Sequence, residues 1–170
     1  MSTVVLALGD DVSTDTIYPG RFMATVLPSE TPQFAFADLT AFNARLKAKE
    51  LPAGSVIVAG QNFGCGSSRE QAASCLKGPE LIVVARGFAR IFLQNAINLG
   101  LRTVICPSIE ASEGDELEIG DADVLNLTTA RRFPIVPLPL ARQVIVDAGG
   151  LIPYARELVV AARSFPERET

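Results

Sequence analysis

Short apolar runs alternate with longer mixed segments along the first two-thirds of the chain. The apolar runs are rich in valine, isoleucine and leucine, which predicts buried strands at Thr3–Leu8, Ser55–Ala59, Leu81–Ala85 and Arg102–Cys106. The segments between them predict helices at Phe36–Glu50, Gln71–Lys77 and Phe88–Leu99. Strands that alternate with helices indicate an α/β fold with a part-parallel sheet flanked by helices.

The helix predicted at Phe88–Leu99 carries the clearest apolar stripe. The stripe comprises Phe88, Ile91, Phe92, Asn95 and Leu99. A surface helix turns such a face to the core. Gly100 follows as the expected C-cap, because glycine accepts the left-handed conformation in which many helices end.

After about residue 110 the pattern changes to shorter strands separated by turn residues. Strands are predicted at Glu116–Ile119, Val124–Leu127 and Arg132–Val136, and helices at Leu138–Ala148 and Pro153–Arg163. This small β-rich segment predicts a meander or the closure of a barrel. We expect residues 1–170 to form a single domain, with 164–170 as a flexible tail.

Composition excludes several classes of function. The chain has 170 residues, of which 48% are hydrophobic, and a formal net charge of −4, so it lacks the basic surface that nucleic-acid binding requires. No apolar stretch approaches the length of a membrane span, and the first residues lack the basic start of a secretory signal. We therefore expect a cytoplasmic protein that binds neither nucleic acid nor membrane.

The chain contains no histidine, so it cannot assemble a Ser-His-Asp triad or a Cys-His pair by itself. Its three cysteines, Cys65, Cys75 and Cys106, are widely spaced and match no zinc or iron–sulfur pattern. We therefore expect reduced thiols, and we expect this chain to bind no metal or cofactor.

The segment Gly60-Gln-Asn-Phe-Gly-Cys-Gly-Ser-Ser-Arg-Glu-Gln71 lies between a predicted strand and a predicted helix. Gly64 and Gly66 permit positive φ and close backbone approach, so several N–H groups can converge on one ligand. The helix N-terminus and the nearby Arg69 favour an anion such as a carboxylate. Such surroundings stabilise the alkoxide of Ser67, which is the condition for a serine to act as a base.

The glycine-rich loop also matches a helix-capping pattern, but it does not match the familiar nucleotide-binding or hydrolase motifs. The run from Ser67 to Glu70 matches a capping box, in which Ser67 begins a helix and Glu70 hydrogen-bonds back to it. Capping and binding can coexist. The spacing excludes a P-loop, a dinucleotide-binding fingerprint, which needs glycine where Arg69 stands, and a nucleophile elbow.

A second polar segment, from Gly9 to Arg21, follows the first predicted strand. If the strands at 3–8 and 55–60 are parallel neighbours, this segment and the glycine-rich loop share one crevice at the carboxyl ends of those strands. Asp15 and Arg21 then become candidates for the same site. Taken alone, the segment would predict only Asx turns and an ordinary turn at Pro19-Gly20.

Together, the two loops resemble the small-subunit, or swivel, domain of the aconitase superfamily. Gly9–Phe22 resembles the family's G-D-x-x-x-T-D-x-I-x-P-x-R stretch, and Asn62–Glu70 matches its active-site loop almost letter for letter. Ala85–Gly100 and stretches between 113 and 152 agree as well. The resemblance spans nearly the whole chain, and it implies the β/β/α fold of the swivel domain.

The resemblance also implies a hydro-lyase that dehydrates and rehydrates a small hydroxy-di- or tricarboxylate. The length of the chain resembles that of the separate small subunits of isopropylmalate isomerases and homoaconitases. In these enzymes a [4Fe–4S] cluster lies on a large subunit. The implied partner is therefore an iron–sulfur large subunit, in a heterodimer or a heterotetramer, without which this chain is inactive.

The roles of individual residues follow from the resemblance by position. Ser67 is implied to remove the proton beside a substrate carboxylate, Arg69 to stabilise its alkoxide and Asp15 to orient the site. The implied substrate-binding residues are Ser68, Arg21, Gly64, Gly66, Met23, Ala24 and Thr25.

Two positions bear on the substrate and the mechanism. Met23 and Ala24 carry no charge, which favours the branched alkyl group of an isopropylmalate over an additional carboxylate. Other family hydro-lyases remain open, namely homoaconitase and dimethylmalate or methylmalate dehydratase, as does a non-catalytic carboxylate-binding module. Gln71 stands where the family usually has histidine; we expect it to hydrogen-bond within the helix and activity to survive.

Overall fold

The computed structural model describes residues 1–163, so the tail predicted at 164–170 lies outside the described residues. Within them, strands β1 to β7 form one sheet in the order β4-β3-β2-β1-β5-β6-β7. The strands are β1 Ser2–Ala7, β2 Val56–Ala59, β3 Ile82–Ala85, β4 Thr103–Ile105, β5 Glu116–Ile119, β6 Asp123–Asn126 and β7 Arg131–Pro134. The pairs among β1 to β4 are parallel, whereas the pairs from β1 through β5 and β6 to β7 are antiparallel. The part-parallel α/β prediction is therefore confirmed.

Residues 1–163 also form six α-helices and two 3-10 turns, of which the last two helices follow β7. The helices are α1 Thr14–Ile17, α2 Thr40–Lys47, α3 Glu70–Lys77, α4 Arg90–Leu99, α5 Leu140–Asp147 and α6 Leu151–Arg163. The 3-10 turns are Gly20–Phe22 and Thr31–Phe34. None of the described helices has the length and apolar character that crossing a membrane requires.

The sheet has a buried core on each face because successive side chains of a strand point to opposite sides. In β2, Val56 and Val58 contribute to a core shared with β5, β6 and β7, whereas Ile57 and Ala59 pack with residues of the helices. The sheet also curls towards closure, since the Val136 N–H donates to the Ile105 carbonyl at 2.8 Å. The connection after β7 thus covers the edge of β4. Of the two alternatives predicted for the β-rich segment, β5, β6 and β7 form an antiparallel meander, and the segment after it begins to close the sheet.

Two details of the helix predictions were wrong. The helix predicted from Phe36 begins only at Thr40, because Phe36 has a φ of +49° and its N–H donates to the Ile17 carbonyl at 2.7 Å. In α4, Ile91 does not lie on the buried face; it is 44% exposed, and the fully buried face includes Phe92. The left-handed C-cap predicted at Gly100 is confirmed by its φ of +69°.

Candidate active site

The two loops predicted to share a crevice lie side by side at the carboxyl ends of β1 and β2. These strands are parallel neighbours. The Asp11 N–H donates to the Gln61 carbonyl at 2.9 Å, and the Gly60 N–H donates to the Gly9 carbonyl at 3.0 Å. The Asp10 carboxylate accepts a further bond, of 2.7 Å, from the Gln61 N–H. The chain therefore holds the first loop and the glycine-rich loop in fixed register.

Both glycines of the glycine-rich loop have the positive φ that the sequence predicted, +81° at Gly64 and +93° at Gly66. Gly64 is also required for packing, because a Cβ there would lie 2.2 Å from Cγ of Phe92. Its N–H donates to the Val12 carbonyl at 2.7 Å, and the Cys65 N–H donates to the same oxygen at 3.3 Å. These two N–H groups therefore bind the first loop, and an incoming anion would meet the N–H groups that follow.

The capping box predicted from Ser67 to Glu70 does not form. Helix α3 begins only at Glu70, and its N-cap, Arg69, is extended at φ −125° and ψ 107° without a side-chain cap. The physical reason lies in the first loop: Thr14 Oγ1 donates to the Ser67 carbonyl at 2.9 Å and holds this stretch outside the helix. Ser67 is therefore free of a capping role.

Several polar groups between Gly66 and Ser68 have no hydrogen-bond partner within residues 1–163. The Ser67 and Ser68 side chains are exposed, and neither hydroxyl has a hydrogen-bond partner in that range. The same holds for the backbone N–H groups of Gly66, Ser67 and Ser68. Successive free N–H groups in a glycine turn are suited to an anion, which could be a substrate carboxylate or a serine alkoxide.

Asp15 and Arg69 join the two loops by an ion pair. The Asp15 carboxylate accepts from Nη1 of Arg69 and from the Gly20 N–H, the latter at 2.9 Å. The hydrogen bond from Arg69, helped by that from Gly20, lowers the pKa of Asp15 below its usual value. Nη1 of Arg69 also donates to the Tyr18 carbonyl at 3.0 Å, and only 16% of the side chain is exposed. Nε and Nη2 have no acceptor within residues 1–163, so they remain available to an anion.

Arg21 is held by Asp38, which the sequence analysis did not identify. Nη1 and Nη2 of Arg21 donate to the two carboxylate oxygens at 3.3 and 2.5 Å. The pair raises the pKa of Arg21 and lowers that of Asp38, chiefly through these hydrogen bonds. The guanidinium lies 4.7 Å from the ring centroid of Phe22. No local pattern signals this partner, which lies 17 positions along the chain.

The segment predicted to determine the substrate follows Arg21 directly. Met23 is 38% exposed, Ala24 is exposed and Thr25 is half-buried. Tyr18 contacts this segment, because its hydroxyl lies 3.4 Å from the Thr25 carbonyl. An exposed apolar surface therefore lies beside a guanidinium.

Gln71 does not behave as predicted. It lies half-buried in the first turn of α3, and its side chain makes no hydrogen bond within residues 1–163. The hydrogen bond within the helix that we expected is therefore absent there. The structure also brings in two residues that the sequence analysis left without a role, Thr14 and Tyr18, which hold the Ser67 carbonyl and the Arg69 guanidinium.

Comparison with known proteins shows the family to which this chain belongs. Residues 37–108 match the Aconitase C-terminal domain family. The 3-isopropylmalate dehydratase small subunit of Methanosarcina acetivorans is 43% identical over 155 residues, which cover 89% of this chain and 93% of that protein. The chain belongs to the family of 3-isopropylmalate dehydratase small subunits.

Other members of the 3-isopropylmalate dehydratase small-subunit family extend the comparison. The isopropylmalate/citramalate isomerase small subunit of Methanocaldococcus jannaschii is 42% identical over 158 residues, covering 90% of this chain and 92% of that protein. The crystal structure of a 3-isopropylmalate dehydratase from the same organism superposes with a TM-score of 0.83 at 36% identity, covering 95% of this chain and 98% of that one. The fold of the family is therefore shared along nearly the whole chain.

The resemblance described from the sequence implied an iron–sulfur cluster on a large subunit and none on this chain. Among residues 1–163, no three cysteine, aspartate or glutamate side chains come together in a group that could hold a metal ion. Of the three thiols, Cys75 and Cys106 are buried, and only Cys65 belongs to the glycine-rich loop. This part of the chain therefore offers anion-binding groups and a hydroxyl, but no ligand set for a cluster.

Proposed function

We propose that this chain is the small subunit of a 3-isopropylmalate dehydratase and interconverts 2- and 3-isopropylmalate in leucine biosynthesis. The observation that carries the proposal is the ion pair between Asp15 and Arg69, which fixes a guanidinium two positions along the chain from Ser67, whose hydroxyl has no hydrogen-bond partner within residues 1–163. A carboxylate-binding group next to a candidate base is what proton removal beside a carboxylate requires. Membership of the family supplies the substrate class.

The reaction starts with removal of a proton from the carbon next to a substrate carboxylate. Ser67 Oγ, as the alkoxide, takes this proton, the C–H electron pair forms a C=C bond, and the neighbouring C–O bond breaks. The departing hydroxide takes a proton from a general acid, which the partner would supply, and leaves as water. Water then adds with the positions of proton and hydroxyl exchanged, and Ser67 returns its proton. One group thus acts as base and then as acid, as reversibility demands.

A serine needs strong stabilisation of its anion to act in this way. The N–H groups of Gly66, Ser67 and Ser68 lie in this loop without an acceptor in residues 1–163, and Arg69 adds a fixed positive charge. Hydrogen-bond donors fixed in advance stabilise developing charge at no cost of reorganisation during the reaction. Asp15 contributes by holding Nη1 of Arg69, which leaves Nε and Nη2 for the alkoxide or the substrate carboxylate.

The remaining substrate contacts come from the neighbouring segment. Arg21 binds a carboxylate, because a guanidinium matches a carboxylate with two parallel hydrogen bonds. Met23, Ala24 and Thr25 face the alkyl group and offer no charged side chain to an additional carboxylate. The lack of charge in this segment favours isopropylmalate over the longer tricarboxylates of homoaconitase. The smaller citramalate is a second candidate substrate, because the name of one relative includes it.

The large subunit completes the site. Ser67, Ser68 and Arg21 are exposed on the described surface, so the wall that closes over the substrate is supplied by the partner. We place an iron–sulfur cluster on that partner, as the resemblance to the aconitase superfamily implies; residues 1–163 of this chain present no ligand set for one. When the cluster is present, the partner provides the Lewis acidity that assists departure of the substrate hydroxyl.

Reconstitution tests the proposal. The chain is purified with the iron–sulfur large subunit encoded in the same genome, and the pair is supplied with 3-isopropylmalate, citramalate and homocitrate in turn. We expect the two subunits to co-purify. We also expect turnover, measured by the absorbance of the unsaturated intermediate, to be fastest with 3-isopropylmalate. A pair that assembles with its cluster and turns over none of these substrates would contradict the proposal.

A further inference from the structure

We propose that Asp38 is a positioning residue that orients Arg21 towards the substrate carboxylate. The inference rests on the proposed function, because Arg21 is taken to bind substrate. Asp38 lies in the turn before α2, outside both loops of the site. Its carboxylate engages Nη1 and Nη2 of Arg21 end-on, at 3.3 and 2.5 Å.

The geometry of this pair leaves part of the guanidinium available. A guanidinium carries five N–H donors in one plane, and the end-on pair uses one on each Nη nitrogen. The remaining donors, including Nε–H, have no acceptor within residues 1–163. Because the group is planar, fixing one edge also fixes the direction of the others. Asp38 can therefore orient Arg21 without occupying all of its binding capacity.

An aromatic stack supports the other side of Arg21. The guanidinium lies over Phe22, whose ring stacks on Phe34 at a centroid distance of 4.3 Å. The rings of Phe34 and the buried Tyr18 lie edge to face, with their centroids 6.2 Å apart. The Tyr18 carbonyl accepts a hydrogen bond from Nη1 of Arg69. Arg21 thus contacts a ring of this cluster, and Arg69 contacts the backbone of Tyr18, a residue of the same cluster. Within residues 1–163, Asp38 is the one hydrogen-bond partner of the Arg21 guanidinium, so it fixes the rotation of that group over the Phe22 ring.

The exposure of the pair indicates orientation and not folding as its role. The Arg21 and Asp38 side chains are 54% and 63% exposed. An exposed ion pair contributes little to the stability of the fold. Arginine, however, is a long and flexible side chain, and ordering it when substrate binds lowers affinity, so a partner that orders it beforehand strengthens binding. The effect of Asp38 should therefore appear in substrate binding and not in unfolding.

A set of variants in the reconstituted pair tests this role, with KM and kcat for 3-isopropylmalate measured separately. We expect Asp38→Asn to raise KM roughly tenfold with little change in kcat, since a loss of uniform binding appears in KM. Asp38→Glu keeps the carboxylate and should restore most of the affinity. Asp123→Asn removes a half-buried carboxylate paired with Arg132 on the far strands and should leave KM unchanged.

A double variant shows whether Asp38 acts through Arg21. In an Arg21→Ala background, Asp38→Asn should raise KM no further, because the group it orients is gone. Thermal unfolding and co-purification with the large subunit verify that each variant folds and assembles. An unchanged or lowered KM in Asp38→Asn, or effects that add in the double variant, would overturn the inference; a lowered KM would mean that Asp38 competes with substrate.

The same experiment separates the two proposals. If the wild-type pair is active and the Asp38→Asn variant has the wild-type KM, only the role of Asp38 is contradicted. A wild-type pair that assembles with its cluster but is inactive on every substrate overturns the proposed function and, with it, the role of Asp38.

Discussion

Replacing Gly64 with alanine should destabilise the fold strongly, because the position is constrained in two independent ways. Its backbone has a φ of +81°, which side-chain-bearing residues rarely adopt. The added methyl group would also lie 2.2, 2.4 and 2.6 Å from three carbons of the buried Phe92 side chain. No rotation of a flexible side-chain end relieves this overlap, since Phe92 is 1% exposed and packed between rings.

The expected magnitude follows from adding the two costs. A left-handed backbone costs a residue with a Cβ about 1–2 kcal/mol. Forcing a methyl group into a packed core costs about 1–3 kcal/mol more, as neighbouring side chains and backbone shift. Gly64→Ala should therefore lower the free energy of unfolding by about 2–5 kcal/mol, a large part of the roughly 5–15 kcal/mol of an ordinary domain.

Urea denaturation followed by circular dichroism measures this change, and two other glycines are matched controls. Gly114 has a φ of +90° but nothing within 4 Å of a Cβ, so Gly114→Ala reports the backbone cost alone. Gly9 has neither constraint, so Gly9→Ala should change stability little. If Gly64→Ala were no more destabilising than Gly114→Ala, the contact with Phe92 would not be the close packing that we describe.

Two further predictions concern titratable groups. Because Arg69 holds the pKa of Asp15 low, the pair stabilises the fold above the ordinary carboxyl pKa of about 3.9, and this contribution is lost as pH falls through the lower folded value. Arg69→Gln should therefore raise the pKa of Asp15 in an NMR titration, and an unchanged value would contradict the pairing. Burial raises the pKa of Cys106 to about 11, and it raises that of Cys75 even further. In the native protein at pH 8 a thiol reagent should modify Cys65 quickly and the other two only after denaturation, and equal rates would contradict their burial.

Periodicity and turn chemistry predicted most of the sheet because those signals are local. The strand at Ser55–Ala59 was predicted from an unbroken apolar run, and β2 at Val56–Ala59 is buried on both faces, as such runs indicate. Parallel neighbours then explain why two loops meet at Asp15 and Arg69, which are 54 positions apart in sequence. The α/β order and the glycine turn could therefore be predicted without a structure.

Features that depend on contacts between distant segments could not be predicted. The capping box at Ser67 fails because a hydroxyl from Thr14, 53 positions away, holds the Ser67 carbonyl outside the helix. Phe36 adopts a positive φ because its side chain is placed in the core against Phe42, with the ring centroids 5.6 Å apart. The pairing of Arg21 with Asp38 likewise has no local signal. In each case a tertiary contact overrides the local preference.

The central claim, that Ser67 is the base in a shared active site, is tested most directly by one substitution in the reconstituted pair. Ser67→Ala removes the hydroxyl from a side chain that has no hydrogen-bond partner within residues 1–163, so folding and assembly with the large subunit should be unaffected. Ser108→Ala, at an exposed serine outside both loops, is the control. The rate at which the unsaturated intermediate forms from 3-isopropylmalate is measured by the absorbance of that intermediate. We predict that this rate falls by at least about a hundredfold in Ser67→Ala and is unchanged in Ser108→Ala. Turnover by an assembled Ser67→Ala pair at the wild-type rate would contradict the account.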